Sequence, residues 1–249
     1  MNYLAFYVVI LLTNVIQGIT GFAGTILAMP PGLMLVGYDV AKPILNLLGL
    51  LAGIYVFLTQ RKQVKWREVR KVVLVMAVGI FLGFYLKQLL TGYDGILYKL
   101  LGIFVIGLAL RGYVSSVHRK RGEEAAASAG IREEVKSISL LVSSGIVHGM
   151  FVSGGPLLIG YLSKAIREKV SFRATISTIW IILNAMILVQ DIHSGLWTTD
   201  LVVTQLISTP FMAVGMVIGS ILVKRMSQEV FMKLTYILLF LSGILLMFK

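Results

Sequence analysis

The 249-residue sequence is 57% apolar and 14% charged, with a mean hydropathy of +0.90, whereas a soluble domain is nearer half apolar and a quarter charged. It carries 23 lysines and arginines against 11 aspartates and glutamates, a net charge of +12, and no cysteine, which excludes disulfides, thiolate metal sites and thiol nucleophiles. The cations form short clusters between long apolar stretches, without interleaved stacking aromatics, a pattern that argues for a bilayer protein with cytoplasmic basic loops and against nucleic acid as a partner.

Segment 3–37 comes first. No basic stretch precedes it, the first cation being Lys42, so the segment is expected to stay in the protein and not to be cleaved as a signal peptide. It holds Gly18, Gly21, Gly24, Pro30, Pro31 and Gly32. Glycines alone serve close helix packing. At this density, and with proline, they predict a broken helix or re-entrant hairpin whose freed backbone groups face protein or water. Spans are predicted at 43–60, 69–90 and 95–114, each near the 20 or so residues that cross a bilayer. The hydrophilic stretch 115–136 contains Arg119-Lys120-Arg121 and Glu123-Glu124 and reads as a flexible cytoplasmic linker. Segment 137–164 is again apolar and interrupted, by Gly145, Gly149, Gly154, Gly155, Pro156 and Gly160. Spans at 172–190, 200–223 and 229–248 complete the chain.

The two interrupted segments resemble each other. Gly18 to Phe22 matches Gly145 to Met150, Lys42 and Asn46 match Arg173 and Ser177, and Gly79-x3-Gly83 matches Gly215-x3-Gly219. Two repeats are inferred, 1–114 and 137–249, joined by the linker. Their loops carry opposite charge bias. Loop 61–71 has six cations and its counterpart 191–199 none, while 164–173 has four against the single cation of 38–42. Cytoplasmic loops are the basic ones, so equivalent loops fall on opposite sides. The expected fold is all-α and integral to the membrane: two inverted four-segment repeats, six full spans and two Gly/Pro-broken re-entrant hairpins, with both termini outside. Eight simple spans in parallel halves is the alternative.

Broken half-helices present peptide N–H groups and a partial positive charge, which favour an anion. Gly21, Phe22, Ala23, Gly24 and Thr25 are the candidates in the first half, and Ser153, Gly154 and Gly155, just before Pro156, in the second. Among intramembrane polar side chains, Asn46, Asn184, Ser177 and His148 are added as substrate-binding candidates, because an amide in lipid needs partners on both ends and a histidine titrates near neutral pH. Gln17, Thr20, Thr178 and Gln205 rank below them. No His/Asp/Glu cluster has metal-ligand spacing, and deep carboxylates that would form a cation site are missing. Neither a metal nor a cofactor is expected. The expected partners are a small anion, a coupling H+ or Na+, and the lipid bilayer.

Gly18-x2-Gly21-Phe22-x-Gly24-x5-Pro30, with Gly37 beyond, resembles the opening signature of the TauE/SafE family, also called the sulfite/organosulfonate exporter or TSUP family. Gly145-x3-Gly149-x4-Gly154-Gly155-Pro156, followed by Arg173-Ala174-Thr175, resembles its second signature. The resemblance implies a plasma-membrane transporter of small anions such as sulfite, thiosulfate or sulfoacetate, driven by an ion gradient. Thr25-Ile26-Leu27-Ala28 stands where many members have further glycines, which implies a less open first cradle. A membrane scaffold or assembly factor, or an intramembrane enzyme using His148, are the competing readings; the second has no nucleophile–base pair at a recognisable spacing.

Overall fold

The computed structural model describes residues 2–89, 131–152 and 154–247, with positions 95, 96, 99, 102, 103, 106, 107, 109 and 110 between them. Among the described residues the elements are all helical: α1 (Tyr3–Thr20), α2 (Ala23–Val36), α3 (Tyr38–Gln60) with a 3-10 turn (Arg61–Gln63), α4 (Trp66–Leu89), α5 (Ile131–Phe151), α6 (Gly155–Ala165), α7 (Lys169–His193), α8 (Thr199–Arg225) and α9 (Gln228–Met247). Five of them, α1, α3 with its turn, α4, α7 and α8, are long and apolar enough to cross a membrane. Four coincide with predicted spans, and the fifth, α1, is the long arm of the first broken segment. The predicted span 229–248 corresponds to α9, and most of 95–114 lies outside the described residues. So does the predicted linker up to residue 130, while residues 131–136 form the start of α5.

Both predicted interruptions are present. Helix α1 stops because Gly21 takes a left-handed φ of +84° and its N–H closes on the Gln17 carbonyl at 2.7 Å, a cap that glycine adopts without a Cβ penalty. The chain reverses into α2, and the Asn2 N–H donates to the Leu35 carbonyl at 3.1 Å, so this hairpin begins and ends at one level. Helix α5 stops in the same way, the Val152 N–H donating to the His148 carbonyl at 2.8 Å. Here, however, the left-handed residue is a valine, at φ +53°. A β-branched side chain at positive φ is strained, and the packing around the buried Val152 has to hold it there. Pro156 follows in the first turn of α6, where its missing amide costs no helix bond.

Helices α3 and α7 form the centre of the molecule, each 67% buried across its membrane window, against 33% for α4 and α8. Leu74, Val78 and Phe81 on α4, and Leu206, Val214 and Ile221 on α8, are exposed, as lipid-facing residues are. Glycine seams bind the outer helices to the hairpins, α8 on α1 and α4 on α5. A methyl added at Gly18 would stand 3.0 Å from Gly219 Cα, and one at Gly79 would stand 2.9 Å from Gly145 Cα. Small residues allow backbones this close.

The seams can be set beside the register read from the sequence. A methyl on Gly79 would meet Val142, Gly145 and Ile146, and one on Gly215 would meet Leu11, Asn14 and Val15. Matched by these contacts, Asn14 aligns with Gly145 and Gly18 with Gly149, at the spacing the sequence reading used for Lys42 with Arg173 and Asn46 with Ser177. In this register Gln17 corresponds to His148 and Gly21 to Val152.

The connections collect at two ends. At one, the Lys65 N–H donates to Thr175 Oγ1 at 3.0 Å, the Tyr161 hydroxyl donates to Glu68 at 2.7 Å, and Lys169 Nζ donates to the Met226 carbonyl. This end gathers the basic loops 61–67, 164–169 and 224–227. At the other lie Asn2, Leu35 and the buried Lys42–Asp191 ion pair. Glu168 caps α7 at the basic end, accepting from the Val170 and Ser171 amides at 2.8 and 2.6 Å. Partial burial alone would raise its pKa, but these N–H donors win and hold it below the usual carboxylate range. Its capping contribution is thus complete above the unfolded carboxyl's pKa and is lost as pH falls through the depressed folded value. Glu168→Ala is expected to cost about 1 kcal/mol of stability at neutral pH, measurable as a lowered thermal midpoint in detergent.

Candidate functional site

Three structural units converge on one small cavity. The first hairpin supplies Gln17, Phe22, Thr25 and Ile26, the second supplies His148, Val152 and Gly155, and the central pair supplies Gly49 from α3 and Trp180 and Asn184 from α7. As it stands, the cavity has room for about one water molecule. It is reached by backbone that only small residues permit. A methyl on Gly49 would press on Asn184 Nδ2 at 2.9 Å and Thr25 Oγ1 at 3.1 Å, and Gly53 one turn on meets the Ser177 carbonyl of α7 in the same way.

The polar lining is neutral side chains held in place by one another. His148 Nε2 lies 3.1 Å from Asn184 Oδ1, and its Nδ1 meets no partner among the described residues. The His148 and Trp180 rings lie with centroids 4.8 Å apart. Trp180 is 5% exposed, and its indole N–H also has no protein acceptor. Asn46 Nδ2 donates to the Asn184 carbonyl at 3.0 Å and so braces the lining from behind, leaving its own Oδ1 unpartnered. Buried polar atoms of this kind are costly unless something meets them, and among the described residues two of them, His148 Nδ1 and Trp180 Nε1, belong to residues lining this cavity.

Of the predicted site residues, Phe22, Thr25, His148, Gly155 and Asn184 line the cavity. Gly21 lies instead against Arg173 and Ser177, and the Ser177 hydroxyl donates to the Gly21 carbonyl at 3.4 Å. Gly154 packs on Ser144 and His148, its carbonyl accepting from the Ser144 hydroxyl at 2.8 Å. Ser153 lies outside the described residues. In the first half the peptide N–H groups of the predicted cradle are taken up by neighbouring side chains. The Phe22 and Ala23 amides donate to Thr20 Oγ1 at 3.3 and 3.2 Å, and the Gly24 amide donates to Gln17 Oε1 at 2.7 Å. The half-helix end is therefore capped by its own side chains, and Ala23 and Gly24 do not line the cavity. Trp180 and Gly49 were absent from the sequence-derived set. Trp180 lies four residues before Asn184 and Gly49 three after Asn46, so a helical-face reading of either asparagine finds it.

Among the described residues the protein is all-helical, with five helices long and apolar enough to cross a membrane and a polar cavity between two broken hairpins. The sequence model of the sulfite exporter TauE/SafE family matches residues 6–246, and the chain belongs to this family. It is 25% identical over 184 residues, 74% of this chain and 72% of the relative, to the probable inner membrane transporter protein TsaS of Comamonas testosteroni. No solved structure matches. The protein is a multi-pass protein of the plasma (inner) membrane.

Proposed function

We propose that the protein is a secondary transporter that carries a small sulfur-containing anion, such as sulfite, thiosulfate or an organosulfonate like sulfoacetate, through the central cavity by alternating access. The single observation that carries the reading is the enclosure of His148, Trp180 and Asn184 between hairpins from both halves of the chain. The relative's name supports transport, and the family supports the sulfur-containing substrate. The cavity is too small for a sulfonate as it stands, so the hairpins must part to admit one.

Inverted halves suit this cycle. Loops 61–67 and 164–169 share the basic end, although the repeat register pairs 61–67 with the loop after α7 at the opposite end. That arrangement, and the hairpin whose two ends meet at Asn2 and Leu35, support re-entrant hairpins in inverted repeats over eight simple spans. The positive-inside rule then puts the basic end in the cytoplasm.

His148 also suggests the coupling ion. Its free Nδ1 carries a lone pair that repels an oxyanion. A proton delivered there turns it into a donor, so anion and proton travel together. In proteoliposomes loaded with a pH indicator, sulfite or sulfoacetate is expected to move with protons. His148→Asn is expected to slow that flux about ten-fold or more with membrane insertion unchanged. Wild-type flux in the variant would exclude His148 from the path. Failure of any of these anions to raise the wild-type thermal midpoint or to cross the membrane would remove the transport reading itself.

A further inference from the structure

The two ends of the central helix pair are built differently. Lys42, near the start of α3, is neutralised by Asp191 near the end of α7. Arg173 holds the place of Lys42 in the second half, near the start of α7. The residue that stands to it as Asp191 stands to Lys42 is Gln60, at the same repeat spacing (191 minus 60 equals 173 minus 42). The basic end therefore has a buried cation and an amide where the other end has a buried cation and a carboxylate.

Arg173 is 2% exposed. One terminal nitrogen, Nη2, donates to Ser220 Oγ on α8 at 2.8 Å, and among the described residues Nε meets no acceptor. No carboxylate forms an ion pair with it among the described residues. Its stem lies on the tip of the first hairpin, where a methyl built on Gly21 would stand 3.2 Å from Arg173 Cγ and 2.8 Å from Ser177 Oγ. Leaving a guanidinium in the interior without an opposite charge is expensive, and its fork suits the oxygens of a planar or tetrahedral oxyanion.

We infer that Arg173, with Ser220 and Ser177, forms a second anion site at the basic end, separate from the central cavity and in series with it. The nearest cavity-lining residue on α7, Trp180, lies seven residues beyond Arg173, about 10 Å at helical rise, so the guanidinium sits about two turns from the cavity. The site takes the same class of ligand, a sulfite or sulfonate ion, and holds it between the basic loops and the cavity. This inference rests on the anion-transport reading and extends it to a docking step.

The test uses the full chain purified in detergent, with sulfite and methanesulfonate as probes, binding read by calorimetry and flux read in proteoliposomes. Ser220→Asp sets a carboxylate against the guanidinium that is already in contact with that side chain. It keeps Arg173 and gives it a permanent counter-ion, so folding is not at risk from an unpaired charge. Affinity is expected to fall about ten-fold or more, a change of about 1.4 kcal/mol per decade, and flux to fall with it. Ser220→Asn, neutral and the size of aspartate, is expected to lose far less affinity than Ser220→Asp, and equal losses in the two variants would overturn the charge-based site. Wild-type affinity and flux in Ser220→Asp would overturn the Arg173 site and leave central transport standing. No binding and no flux in the wild type would instead overturn the transport reading, and this site with it.

Discussion

Gly219→Val is expected to abolish recovery of folded, monodisperse protein. A Cβ at that position would run into the Val15 carbonyl oxygen and stand 2.8 Å from Gly18 Cα. Both obstacles are backbone, so no rotamer change relieves them and α8 has to move off α1. Overpacking costs about 1–3 kcal/mol where side chains can yield, and here they cannot, so about 3 kcal/mol or more is expected. Gly32→Ala is the contrast. Its added methyl would meet the Phe6 ring at 3.1 Å and Ala41 Cβ at 3.3 Å, and a side chain can shift by a few tenths of an ångström. Size-exclusion profiles and thermal midpoints of the two variants measure the difference. A well-folded Gly219→Val protein would mean that the α1–α8 seam is not the close contact described.

Lys42→Met is expected to cost about 3–5 kcal/mol, because removing one partner strands the other charge in the interior. Asp191 is 1% exposed and its Oδ2 already has no partner, so losing Lys42 leaves the whole carboxylate uncompensated. The double variant Lys42→Met/Asp191→Leu is expected to recover most of the loss, since a pair exchanged for apolar groups is often neutral or better. A thermal-midpoint double-mutant cycle decides it. Additive losses in the double variant would show that the two side chains do not depend on each other.

Much of this architecture was legible in the residues. Glycine with proline at 18–32 and 145–160 located both interruptions, and the cation count predicted which loops would gather at one end. The glycine pattern also records which helix packs against each hairpin, so matching glycine to glycine and matching by seam contact differ by one turn. The capping of the first half-helix was hidden. Gln17 reaches the Gly24 amide seven residues away, and only the reversal at Gly21 brings them together. His148 and Asn184 were readable as polar groups in apolar segments. Trp180 was not, since an aromatic residue in a membrane helix looks like packing until a neighbour such as His148 is known.

The glycine seams also dictate an order of assembly. The narrow face of α5 finds α4 already made when it leaves the ribosome. Helix α1 has no such luck: the helix that covers Gly18 begins only at Thr199, so the N-terminal hairpin must wait uncovered in the bilayer while most of the polypeptide is synthesised. A truncation near the C-terminus thus does its damage at the opposite end of the chain, and the nascent N-terminal hairpin is where an insertase or membrane chaperone has the most to protect.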